Sequence, residues 1–304
     1  MEEVSHYSVL KNEVVDFFKG YLNTNNPYIV DATVGGGGHS KAILQTLPHI
    51  KIIGIDKDEY ALKRAKENLK EFKDRVVLVK SPFKDVDKVL KERGIKKVGG
   101  FLFDFGVSHF QLKLPRGFSF MRDEPLDMRM DTSQDLDAYY VVNYYQEWQL
   151  EKILKEYGEE RLAKKIAKAI INRRQKKKIE TTKELADLVY SVYPPKLRRG
   201  RIHPATRTFQ AIRIEVNNEL EEIREALNKA IDLTDTGGII QAISFHSLED
   251  RIVKQTFKEG KSLKKLELLT KKPITPTQKE VEENPPSRSA KLRVARRIES
   301  GEKR

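Results

Sequence analysis

The chain has 304 residues, enough for one large domain and a smaller one, with a formal net charge of +13 and 34% charged residues. Such an excess of Lys and Arg suits a polyanion, of which nucleic acid is the ordinary case, and it also suits a heavily charged, heat-adapted surface. Zero cysteines exclude disulfides, thiolate zinc sites, iron–sulfur clusters and a cysteine nucleophile, so base methylation through a thiolate adduct cannot be built from these residues.

Met1–Tyr7 lacks a basic stretch followed by an apolar core, and no apolar run reaches the roughly 18 residues of a membrane span. A cytoplasmic chain with no membrane partner is expected. Tyr28–Val30 reads as a strand running through Asp31 into the turn Gly35-Gly36-Gly37-Gly38, followed by a helix with Ala42, Ile43, Leu44 and Leu47 on its apolar face. The unpaired N–H groups of a helix start welcome an anionic group. A second strand, Lys51–Ile55, ends in Asp56, about 20 positions beyond the glycines, where an acid can take ribose hydroxyls. A nucleoside cofactor follows. The pattern G-x-G-x-x-G fails, because its third glycine falls on Ser40 or Lys41, and no second glycine forms a nucleoside triphosphate loop. Asp31 repels phosphates and suits a cation. S-adenosylmethionine, with its sulfonium, ammonium, carboxylate and ribose, answers each feature; the turn itself still leaves a nicotinamide dinucleotide open.

Further strands are expected near 76–79 and 99–105, giving a parallel, doubly wound α/β sheet. The third is followed by Phe83, which can cover an adenine or cap the sheet core. The fourth ends in Asp104, facing the ligand crevice at the carboxyl edge. From Lys113 to about Glu215 the pattern turns helical, with Tyr139-Tyr140, Tyr144-Tyr145 and Trp148 among basic stretches. Arg161–Lys178 has nine basic and no acidic residues, and Pro194–Arg207 adds five basic residues. Phosphate binding is the reading, with Arg198, Arg199, Arg201 and Arg207 as candidate RNA contacts, against a partly packed, solvated helix. Strand character returns over Gly238–Ser244. Two later β-like runs, Leu263–Leu269 and Lys291–Ile298, flank an acidic, proline-bearing loop. His246 and Ser247 read as a helix start rather than part of a hydrolytic triad, since no serine elbow accompanies them. The six histidines show no metal-ligand spacing, so no metal is expected. The expected organisation is a core of 1–112 and 216–304 interrupted by a helical substrate-recognition domain over 113–215.

Four long motifs stand in order: Asp31-Ala-Thr-Val-Gly-Gly-Gly-Gly-His-Ser40, Arg116-Gly-Phe-Ser-Phe-Met-Arg-Asp-Glu-Pro-Leu-Asp-Met-Arg-Met-Asp131, His203-Pro-Ala-Thr-Arg-Thr-Phe-Gln-Ala-Ile-Arg213 and Ser244-Phe-His-Ser-Leu-Glu-Asp-Arg251. Together they resemble the bacterial 16S rRNA cytosine-N4 methyltransferase family, RsmH or MraW, over nearly the whole chain. The resemblance implies a class I S-adenosylmethionine-dependent (Rossmann-like) fold with an inserted helical domain, and methylation of a decoding-region cytosine. It implies cofactor contacts at Gly37, Gly38, His39, Asp56, Phe83, Asp104 and Gln111. Ser108-His109-Phe110-Gln111 departs from the family's frequent Ser-Ser-Pro-Gln. Expected chemistry is direct in-line transfer, with Asp104 orienting the amine. The expected partner is 16S rRNA, within the small subunit; a homodimer stays open. The rivals are a DNA amino-methyltransferase, which lacks here its Pro-Pro-aromatic after Asp104, and a noncatalytic RNA-binding protein holding a nucleoside; an NAD oxidoreductase is disfavoured by Ser40.

Overall fold

The computed structural model describes residues 8–299, with only the backbone of His109; Met1–Tyr7, read above for a leader, lies outside them. Two compact units emerge: one comprises the chain up to Gly106 and from Leu220, the other Val107–Glu219. The second unit's limits lie at 107 and 219 rather than 113 and 215, because the short helix after Ser108 and the last turns of a long helix ending at Asn217 pack with it.

The first unit is built on β1 Tyr28–Asp31, β2 Lys51–Asp56, β3 Val76–Lys80, β4 Val98–Asp104, β5 Thr234–Ser244, β6 Leu266–Leu268 and β7 Lys291–Arg297. They form one sheet in the order β3-β2-β1-β4-β5-β7-β6. β1 to β5 pair in parallel, as the sequence indicates, but β7 runs antiparallel between β5 and β6. The sheet is therefore mixed, which corrects the all-parallel expectation. β5 and β7 are linked by a helix, the short β6 and a return loop, so β7 enters the sheet from the opposite end. This order with an antiparallel seventh strand is the class I methyltransferase arrangement.

Helices α1 Lys11–Tyr21, α2 Gly38–Thr46, α3 Glu59–Asn68 and α4 Val86–Glu92 precede the second unit, which contains α5 His109–Lys113, α6 Ala138–Tyr144, α7 Glu147–Glu156, α8 Ala163–Lys176, α9 Thr182–Val192 and α10 Thr206–Asn217. Then come α11 Glu219–Leu233, α12 Ser247–Ser262 and α13 Gln278–Glu283. Because strand side chains alternate, consecutive residues enter different cores. Val30, Ile53, Phe101 and Phe103 pack with Val86 and Val89 of α4, Ala226 and Leu227 of α11 and Val253 of α12. Ile29, Ile52 and Leu102 pack on the other face with Val14 and Phe18 of α1 and Ile43 and Leu44 of α2. Strands buried on both faces read as the continuous apolar runs seen in the sequence. The second unit has its own core, with Val141, Leu150, Ile166, Ile170, Leu185 and Ile212 fully or almost fully buried. Among the described residues no helix is long and apolar enough to cross a membrane.

Candidate active site

The site residues of the first unit gather at the carboxyl ends of β1, β2 and β4, the edge at which open α/β sheets bind their ligands. The glycine turn is pinned on both sides: Ala32 N–H donates to Leu102 O at 2.9 Å and Val34 N–H to Ile55 O at 2.9 Å. Gly37 takes φ +85° as the residue before α2, and a Cβ there would lie 3.1 Å from Leu69. Gly38 opens the helix. A side chain there would strain the backbone and crowd Leu69, so glycine is favoured.

Three carboxylates surround this turn. Asp31 is buried, and its Oδ2 accepts from Ser40 Oγ at 2.6 Å; burial pushes its carboxyl up to about 6 despite that donor. Asp56 closes the turn from β2, accepting from Gly35 N–H on Oδ2 at 3.0 Å and from Asp58 N–H on Oδ1 at 2.9 Å. Burial raises Asp56 to about 6 as well. Each of its oxygens retains a second lone pair for a ribose diol. Asp104 ends β4, and its N–H donates to Thr33 Oγ1 at 2.7 Å. Burial first, then the charges of Asp31 and Glu249, push its carboxyl up to about 8. The Oδ1 atoms of Asp31 and Asp104 are both shielded from solvent without a protein hydrogen-bond partner. Buried acceptors of this kind beside a glycine turn fit a ligand carrying positive charge and N–H donors, which is the chemistry of S-adenosylmethionine.

His39 turns into the protein: Nε2 lies 2.7 Å from Val9 O, and Nδ1 lies 3.7 Å from Asp104 Oδ2. Phe83, at the end of β3, meets Phe103 and Phe105 edge-on with centroids 6.1 and 5.8 Å away. It caps the core while remaining partly exposed, so the two sequence readings of this ring are compatible. Gln111 belongs to the second unit, where its Oε1 accepts from Ser108 N–H at 3.0 Å. Sequence reasoning missed Thr33 and Glu249. Glu249 is buried on α12, accepts from Phe245 N–H on Oε1 at 2.9 Å and has Oε2 3.4 Å from His246 Nε2. His246 caps α12 by accepting from Glu249 N–H, so it starts the helix. The signal for Glu249 was its place just past the fifth strand, at the same sheet edge.

In the second unit, Tyr140 and Tyr144 are half exposed at 51% and 53% and stack at 5.2 Å, with Lys178 Nζ 4.5 Å above the Tyr144 ring. Trp148 is 60% exposed. Arg198 donates from Nε to the carbonyls of Tyr190 and Tyr193 and from Nη2 to Ser191 O, with its guanidinium 4.8 Å over Tyr190. Arg207 Nη1 donates to Glu159 O at 2.9 Å. Arg199 and Arg201 are exposed. The motif from Arg116 to Asp131 shapes this unit from within: buried Glu124 accepts from Gly117 N–H at 3.0 Å and pairs with Arg122 at 2.9 Å.

Comparison with known proteins gives the chain its family. The MraW methylase family matches residues 3–298. "Ribosomal RNA small subunit methyltransferase H" of Sulfurihydrogenibium azorense is 66% identical over 97% of this chain and 100% of its own length. The proteins of the same name from another Sulfurihydrogenibium strain and from Persephonella marina are 67% and 64% identical, again over 97% of this chain and all of theirs. The chain belongs to the MraW methylase family and is a methyltransferase that draws its methyl group from S-adenosylmethionine.

Proposed function

We propose that this methyltransferase modifies the exocyclic N4 of a cytosine in the decoding region of 16S rRNA. The observation that carries the chemistry is Asp104, a carboxyl at the end of β4 with one oxygen unclaimed by the protein. The amine of cytosine is a poor nucleophile because its lone pair conjugates with the ring, so an acceptor on its N–H must orient it toward the methyl group. A chain without cysteine fits direct displacement at nitrogen, which needs no covalent adduct. S-adenosylmethionine supplies the electrophilic methyl group. Gly37, Gly38 and His39 at the start of α2, Asp56, Phe83 and Asp104 are the residues that would hold it; Gln111, which the resemblance adds, belongs to the second unit.

The RNA reading is supported by the names of the relatives and by the second unit's surface. The stacked Tyr140 and Tyr144 with Lys178 offer ring faces and positive charge, the combination that holds single-stranded bases. Arg199 and Arg201 present charge to solvent, whereas the guanidinium of Arg198 is occupied largely by its own loop. We therefore assign RNA contact to Arg199, Arg201 and the remaining nitrogens of Arg207, with Arg198 supporting the loop. The helical unit is on this reading the substrate-recognition domain, the reaction is cytoplasmic and the partner is the small subunit; a homodimer is checked by sedimentation.

The test is transfer of labelled methyl groups to undermethylated small subunits, naked rRNA and DNA in parallel, with nucleoside analysis. N4-methylcytidine from subunits or rRNA is the expected product. Label in DNA alone, or in a different nucleoside, would overturn the substrate assignment.

A further inference from the structure

In the second unit, exposed apolar side chains gather around one imidazole. His203 packs on Phe120 and Tyr190, with ring centroids 4.6 and 5.8 Å away, and Phe120 rests in turn on buried Phe209 at 4.9 Å. Met121 follows Phe120 in the chain, Ile202 precedes His203, and Leu197 precedes Arg198, whose guanidinium lies 4.8 Å over the Tyr190 ring. Met121, Tyr190, Leu197 and Ile202 are all exposed. Scattered exposed apolar residues need no explanation, whereas a group of them around one ring marks an interaction surface. The patch is held in place from beneath. His203 Nδ1 accepts from Ala205 N–H at 3.0 Å, which puts the ring proton on Nε2, and among the described residues nothing accepts from it. Arg198 is fixed by the carbonyls of Tyr190, Ser191 and Tyr193. Charge then selects the occupant. No acidic residue stands between Asp187 and Glu215, while Lys196, Arg199 and Arg201 are exposed beside the patch. Flat rings next to unopposed cations complement single-stranded RNA, which offers flat bases joined by phosphates.

We propose that this patch is a platform for one unpaired nucleobase of the RNA substrate, sharing no residue with the Tyr140 and Tyr144 pair. The base lies against Tyr190, Leu197 and Ile202, His203 Nε2–H donates to an acceptor on the base edge, and Arg199 and Arg201 meet the flanking phosphates. The inference rests on the rRNA reading above and adds to it the place where a base, rather than a phosphate, is held.

The experiment is anisotropy of a labelled single-stranded rRNA fragment with the full chain across a salt series, beside an abasic oligomer of the same length that keeps ribose and phosphates. Tyr190→Ala should weaken binding of the fragment by about 5- to 100-fold, as loss of one stacked base does, and leave the salt slope unchanged because no charge is removed. His203→Asn keeps an oxygen for Ala205 N–H but loses the ring and its Nε2 proton. It should weaken binding by about 5-fold or more, again at constant slope. The abasic oligomer should bind the wild type and both variants alike. Tyr190→Leu keeps apolar bulk and serves as a second variant with the same expected direction if Tyr190→Ala does not fold. Unchanged fragment affinity in the folded variants, or a loss that the abasic oligomer shares, overturns the platform. So does a wild-type dimer in sedimentation that Tyr190→Leu splits at unchanged fragment affinity, which makes the patch a contact between copies. If the wild type yields no N4-methylcytidine while the base-dependent loss persists, the methylation reading fails and the platform stands; methylation with unchanged fragment affinity in the variants gives the reverse.

Discussion

The raised carboxyls at the turn are costly to keep ionised. Asp104 has its ordinary carboxylate affinity in the unfolded chain and holds its proton up to about pH 8 when folded. Between about pH 4 and 8 the folded state therefore binds more protons than the unfolded one, and the stability from this group is lost as pH rises through that window. Asp104→Asn removes the ionisation while keeping the shape. It should leave stability nearly unchanged at about pH 4 and below and raise it at pH 9 by several kcal/mol, read as a pH-dependent gain in Tm. The same variant should lose methyl transfer by about 10²-fold or more at saturating cofactor. A residue kept at such a cost to stability is one the reaction needs. Equal Tm gains at both pH values would instead mean that the carboxyl is ordinary and solvated.

Elements were legible where periodicity was strong. β1 to β5 lie within a residue or two of the apolar runs, except that β5 begins at Thr234 rather than Gly238, because buried strands are short, apolar and bounded by turn residues. The late strands were less so. Leu263–Leu269 shrinks to Leu266–Leu268, since α12 continues through Ser262, and nothing local in Lys291–Arg297 reveals that it pairs antiparallel with β5. Strand direction is a property of the connection, not of the strand's own residues. The conspicuous Arg116–Asp131 motif also could not be read for its role, because its main device is a buried carboxylate gripping a glycine amide. Gly117 takes φ +75°, and a Cβ there would lie 2.3 Å from Pro125 O. Gly117→Ala should consequently destabilise the protein by about 2–4 kcal/mol, from backbone strain and displacement of the Glu124 loop. Urea unfolding checks this, and a loss within about 0.5 kcal/mol would show that the loop yields freely.

At the scale of the whole chain, the charge of +13 pointed to a polyanion, but composition could not say which cations meet it. Side-chain partners separate them. Arg198 is held by three carbonyls and a ring, whereas Arg199 and Arg201 face solvent and Lys178 sits over an exposed tyrosine. Each cation that neutralises a phosphate on single-stranded RNA contributes about 0.7 to the slope of log affinity against log salt. Exchanging Arg199 and Arg201 together for Gln should therefore lower that slope by about 1.4, and Lys178→Gln by about 0.7. Arg198→Gln should lower thermal stability through its loop while leaving the slope nearly intact. Anisotropy of a labelled rRNA fragment between 50 and 200 mM salt, on the order used to resolve such slopes, reads all three variants. If Arg198→Gln changes the slope as much as the exposed pair does, its guanidinium leaves the loop carbonyls for phosphate when RNA binds. If none of them changes it, the second unit's arginines serve solubility, and the polyanion is met by other cations of the chain.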